Sequence, residues 1–169
     1  MKNGLFSCFL ALIISCNDGD LTIETIDFDS ITTIQTCEST VTTSSTVYFK
    51  INGTEALILE LQSGVLKNEA SAATISSAIP SQSKITYRAF SDNVSSNYFC
   101  DAIPTTTPSV VEEIEATDGE VLVTTTMVTD GTNTTYEHNI QLSGITFITS
   151  TNQRITDLQI NDFGTIITQ

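Results

Sequence analysis

The chain has 169 residues, enough for one domain with its own core, and its 20 acidic against 6 basic residues give a formal charge of −14. A surface that negative repels phosphate backbones, which argues against nucleic acid as a partner. Lys2 is the only basic residue before Cys16 and every acid lies after it, so a chain beginning at Cys16 keeps 5 basic residues against 20 acids, net −15.

The first element is an apolar run, Leu5 to Ile14, behind the positive Lys2 and broken only by Ser7 and Cys8. As a helix it would rise about 15 Å, half of a bilayer core, so it has the length and flanks of a secretory signal rather than a span. Ile13-Ile14-Ser15-Cys16 then resembles the lipobox of bacterial lipoproteins, with an aliphatic residue, a small residue and a cysteine in order. That resemblance implies cleavage after residue 15, diacylglycerol on the Cys16 thiol and a membrane partner through the lipid. Two or three acyl chains at about 0.8 kcal/mol per buried methylene hold far more firmly than one. Residues 16–20, "CNDGD", form a short acidic tether similar to the export signals of surface lipoproteins in Bacteroidetes. The expected place is the outer membrane, lipid-anchored, on its periplasmic or external side.

Of four cysteines, Cys8 leaves with the leader and Cys16 takes lipid, so Cys37 and Cys100 remain as a disulfide pair in an oxidising compartment. The spacing has no CxxC, and the single His138 lies far from both, so no metal or cofactor is expected.

From residue 21 to 169 the pattern is period two with β-branched residues. "LTIETIDF" places Leu21, Ile23 and Thr25 on one side, after which Ile26 and Phe28 switch face. "STVYFKI" puts Val47, Phe49 and Ile51 inward and Tyr48 and Lys50 outward; Asn52-Gly53 turns it into a second strand, Glu55 to Gln62. Residues 63–83 read as either strand or helix, with Ile75 and Ile79 at a helical spacing before Pro80. "KITYRAF" is a strand, "SDNVSSN" a polar loop, and "YFC" brings Cys100 to the core. The last third reads as a three-strand meander with turns at Asp118-Gly119 and Asp130-Gly131, a bulge at Ser143-Gly144, and two short closing strands. Eight to ten strands and no long helix predict an all-β antiparallel sandwich, immunoglobulin-like only loosely because the chain has no Trp.

No nucleophile elbow, zinc-helix motif or phosphate loop is present, so no catalytic residue is assigned and a non-enzymatic role is expected. A hydrolase alternative would rest on His138, read as a surface or half-buried polar residue, or on Glu112, Glu113 and Glu115 along one strand. Arg88, Phe90, Tyr98 and Phe99 around an amide-rich loop are the candidate ligand site, suited to a glycan; in a chain without Trp, packing of the same rings around Cys100 is the favoured reading. Asp29-Ser30-Ile31 resembles the short O-glycosylation site of exported Bacteroidetes proteins, which would place sugar on Ser30.

Taken together, "CNDGD", "TIDFDS", "YFKINGTEALIL", "YRAFSDNVSSNYFCDAIP" and "SVVEEIEATDG" resemble a set of uncharacterised flavobacterial lipoproteins. The resemblance implies an exported, lipid-anchored domain and supplies no catalytic residue. The reading that follows is a structural or interaction module at the outer membrane with a protein or glycan partner. A glycan-binding accessory of a nutrient-uptake system is the rival reading.

Overall fold

The computed structural model describes residues 25–169 apart from Pro104. The leader, Cys8, Cys16, the acidic tether, and Leu21 and Ile23 lie outside the described residues. The fold is all-β with one five-residue helix: β1 Thr25–Asp27, β2 Val47–Asn52, β3 Glu55–Glu60, β4 Ile75–Ala78, β5 Lys84–Phe90, α1 Ser96–Cys100, β6 Val110–Asp130, β7 Asn133–Ile148, β8 Arg154–Ile155, β9 Asp157–Gln159 and β10 Asp162–Thr168.

One antiparallel sheet runs β10-β7-β6-β5-β3-β2, with β4 on β6 and β8 on β7. Two long strands make it a sandwich. β6 spans 21 residues and β7 spans 16, so each serves both halves of the sheet. The expected turn at Asp118-Gly119 does not occur, and the expected meander is one long hairpin. Instead the strands bend there by paired bulges. Ala116 faces Phe147, Asp118 faces Thr146 and Glu120 faces Ser143, an extra residue first on β6 and then on β7, so the register before and after is the same. Gly119 permits the bend: its φ is +123°, and a Cβ there would meet Ile145 Cδ1 at 2.8 Å and the Ser143 carbonyl at 2.9 Å.

Across the bend the halves bury one core. Leu57, Leu59, Ile85 and Tyr87 come from one half, and Val121, Val123, Ile140 and Ile166 from the other. Phe147 meets Tyr87 near the bend, with ring centroids 6.3 Å apart. β1 pairs with β9 in parallel, an exception to the expected antiparallel arrangement, and Ile26 and Phe28 join the core from it.

Of the two readings of residues 63–83 the strand holds at residues 75–78, which form β4 on β6, where β-branched Ile75 and small Ser76 to Ala78 fill the open edge beside Val121 and Val123. Two further expectations are corrected. The segment ending in "YFC" is helix α1, and Cys100 is exposed rather than in the core. In β2 the inward residues are Tyr48 and Lys50, while Val47 is exposed. The reason is a second packed layer. Phe49 is also buried, but on the outer face of the sheet, where Phe99 of α1 stacks on it at 4.5 Å between centroids. With both faces covered, alternation no longer tells inside from outside.

Buried Lys50 is satisfied by the backbone. Its Nζ donates to the carbonyls of Phe28 and Asp162, each at 2.9 Å, and lies 5.6 Å over the Phe163 ring. Burial pulls its pKa below the ordinary lysine value, against the opposing pull of Asp162, Asp29 and Asp27. Lys50 thereby ties the segment after β1 to the start of β10.

Candidate functional site

Arg88, Phe90, Tyr98 and Phe99 are brought together on the outer face of the β2-β3-β5 half. Ile51, Ala56 and Arg88 share a row there by register. α1 lays Tyr98 and Phe99 over that face. Phe90 meets Tyr98 edge-on at 4.8 Å and Phe99 at 6.1 Å, and Ala56 and Val94 complete a small second core. The Cys37–Cys100 disulfide joins α1 to the segment that carries Gln35, which pairs with Phe49 on the outer edge of β2. It therefore fastens this covering layer and does not link the two sheet halves.

The chemistry of this corner is mostly consumed by packing. Arg88 Nε donates to Glu113 Oε2 at 2.6 Å and its Nη2 contacts the same oxygen, so the guanidinium is held against that carboxylate as an ion pair. Phe99 is stacked. Tyr98 is the exception, with a half-buried ring and a hydroxyl that has no hydrogen-bond partner among the described residues. The three glutamates do not converge: Glu113 and Glu115 lie on the outer face and Glu112 on the inner one.

His138 is wholly buried, contrary to expectation, in the half built from β6, β7 and β10. Its Nδ1 lies 2.8 Å from Thr125 Oγ1 and its Nε2 lies 2.9 Å from Thr168 Oγ1. Thr168 in turn donates to Asn68 Oδ1 at 2.6 Å. That last bond leaves the Thr168 oxygen to accept from Nε2–H, so Nδ1 accepts from the Thr125 hydroxyl and the ring is a neutral Nε2–H tautomer. Burial lowers its pKa from the ordinary value of 6.5. One signal for this burial was present in the sequence: His138 is in phase with Ile140 and Leu142. Its partners Thr125, Thr168 and Asn68 carry no such signal, because only pairing across β6, β7 and β10 brings them together.

Above Thr125 lies a cleft of about 390 Å³ whose walls include Lys67, Glu69, Ser71 and Ile75. A hydroxyl against an imidazole has the form of a nucleophile and its base. Here no carboxylate orients the ring, and the Thr125 backbone N–H is taken by Ser71 Oγ at 2.9 Å. The arrangement ties three strands and a loop through one neutral side chain. Among the described residues no group of three or more His, Cys, Asp or Glu side chains is placed to hold a metal ion.

Ser30 is exposed, with its N–H bonded to Asp27 Oδ1 at 3.2 Å. No family model, curated protein or solved structure matches the chain.

Proposed function

We propose that this protein is an exported, lipid-anchored display module that works by binding rather than catalysis, held at the outer membrane through Cys16. The observation that carries the reading is the run Ile13-Ile14-Ser15-Cys16 directly behind the apolar stretch Leu5 to Ile14. β1 begins at Thr25, nine positions beyond Cys16, and a stretch of nine residues can span at most about 30 Å, enough to stand a domain off headgroups. The acidic surface agrees with that position. Lys50 is buried and Arg88 is paired, so two of the cations do little to offset the carboxylates.

Radiolabelled fatty acid supplied to cells expressing the full chain tests the reading. Label is expected on the protein in the membrane fraction, and Cys16→Ser abolishes it. Intact-mass measurement that finds Cys16 bare with residues 1–15 still attached overturns the proposal.

A glycan-binding accessory is the second reading, favoured by the half-exposed ring of Tyr98 and its hydroxyl, which has no hydrogen-bond partner among the described residues. It predicts saturable binding on a glycan array that is lost in Tyr98→Ala; an array without signal removes it.

A further inference from the structure

We propose that β10 pairs edge to edge with β10 of a second copy of this chain, through the run Thr165 to Gln169. An unpaired sheet edge is a template for another strand, and several edges here are blunted. The outer edge of β2 is interrupted midway by Gln35, which exchanges two backbone hydrogen bonds with Phe49 at 2.8 and 2.9 Å. β4 has four residues, and the Ala78 N–H is capped by Gln82 Oε1 at 2.8 Å. β8 has two residues. The far end of β6, residues 126–130, is exposed throughout and ends in a carboxylate at Asp130, so an added strand would find no packed row there.

β10 is finished differently. Among the described residues it pairs with β7 alone, and its inner residues Phe163, Ile166 and Thr168 are buried. Its first part is occupied: Lys50 takes the carbonyl of Asp162, and the Ile34 side chain sits against Gly164. Beyond that, among the described residues, no backbone hydrogen bond closes the edge away from β7. On the outer face Ile167 is 54% exposed.

Charge selects the occupant. Phe163 to Gln169 carries no charged residue in a chain of formal charge −14, so this is a strip along which two copies meet without opposing carboxylates. Antiparallel pairing about a two-fold axis at Ile167 sets Ile167 against Ile167, Ile166 against Thr168 and Thr165 against Gln169. The buried row then continues from one copy into the next, and Ile34 is left undisturbed. Glu137, the β7 neighbour of Ile167, comes no nearer its counterpart than three strand spacings, about 14 Å, beyond the screening length of about 8 Å at physiological salt. Five residues of edge bury far less than the roughly 1,200 Å² of a standard interface, so the dimer is weak and concentration-dependent.

Cysteine cross-linking on the full chain tests both contact and register. Directly opposed antiparallel residues lie about 4.5–5.5 Å apart at Cα, within disulfide reach. Under mild oxidation Ile167→Cys is expected to give a reducible dimer. Thr165→Cys, which faces Gln169, and the unsubstituted chain are expected to give none beyond background. In sedimentation, the unsubstituted chain shifts toward dimer with concentration, while Ile167→Asp stays monomeric with unchanged circular dichroism, because that side chain is exposed. Cross-linking of Ile167→Cys no faster than Thr165→Cys overturns the proposal. So does a chain that stays monomeric while β10 captures an unrelated extended peptide, or a dimer that survives Ile167→Asp.

Discussion

The two halves of the bent sheet are finished in different ways. The half made by β2, β3, β5 and the start of β6 is packed on both faces, with the main core inside and the Phe49, Phe90 and Phe99 rings outside. Among the described residues, the half made by β4, the end of β6, β7 and β10 is packed on its inner face alone; outward it presents Thr124, Asn139 and Thr165 in a row. The doubly covered half is stapled by a disulfide, while the singly covered half ends in a projecting hairpin and an open edge. The same chain thus holds a disulfide-fastened, doubly packed corner and, among the described residues, a singly packed half.

Removing the staple is the largest expected effect on that contrast. Cys37→Ser with Cys100→Ser frees a loop closed over a separation of 63 residues, which costs about 4 kcal/mol on the chain-entropy account. Thermal melts of the variant and of reduced protein are expected to fall together, with α1 and the aromatic corner losing hydrogen-exchange protection first. Equal loss of protection in both halves would erase the contrast.

A smaller effect belongs to the other half. Buried His138 has a pKa below 6.5 when folded and near 6.5 when unfolded, so the unfolded chain binds more protons as pH falls through that window. Its contribution is therefore whole above about pH 6.5 and declines below it. His138→Gln keeps a polar side chain but does not titrate. The stability advantage of the unsubstituted protein over this variant is expected to shrink between pH 7.5 and pH 5 in chemical denaturation, and a constant difference contradicts a buried neutral imidazole.

The smallest effect is expected at the hairpin tip. Met127 is 53% exposed, and Met127→Thr should change stability by no more than about 0.5 kcal/mol. A loss of several kcal/mol would mean that the tip is packed and that this half is covered after all.

The same contrast explains how legible the fold was. In the singly covered half, period two held: Val121 and Val123 are inside and Thr124 is outside, as alternation requires when one face meets water. Attention to phase would also have placed His138 beside Ile140. In the doubly covered half the rule failed at β2, where Tyr48, Phe49 and Lys50 are all buried. The Asp-Gly pair at residues 118–119 misled for a related reason. A glycine with positive φ serves a bulge as well as a turn, and only the partner strand decides which. The candidate ligand residues were correctly grouped in space by their nearness in the chain, but their mutual packing lay in α1, a helix too short to carry a periodic signal.

Local chemistry in the chain was sufficient for the β class, most strand positions and the pairing of Cys37 with Cys100. Alternation, turn residues and cysteine count act over a few residues or by simple elimination. Tertiary structure alone decided that two strands run through the bend, that the disulfide fastens a covering layer, that Lys50 lies inside, and which side chains meet the His138 ring. Each depends on partners far away in sequence, such as Phe28 and Asp162 for Lys50 or Thr125 and Thr168 for His138. A buried polar group is tolerated only where such partners meet its hydrogen bonds.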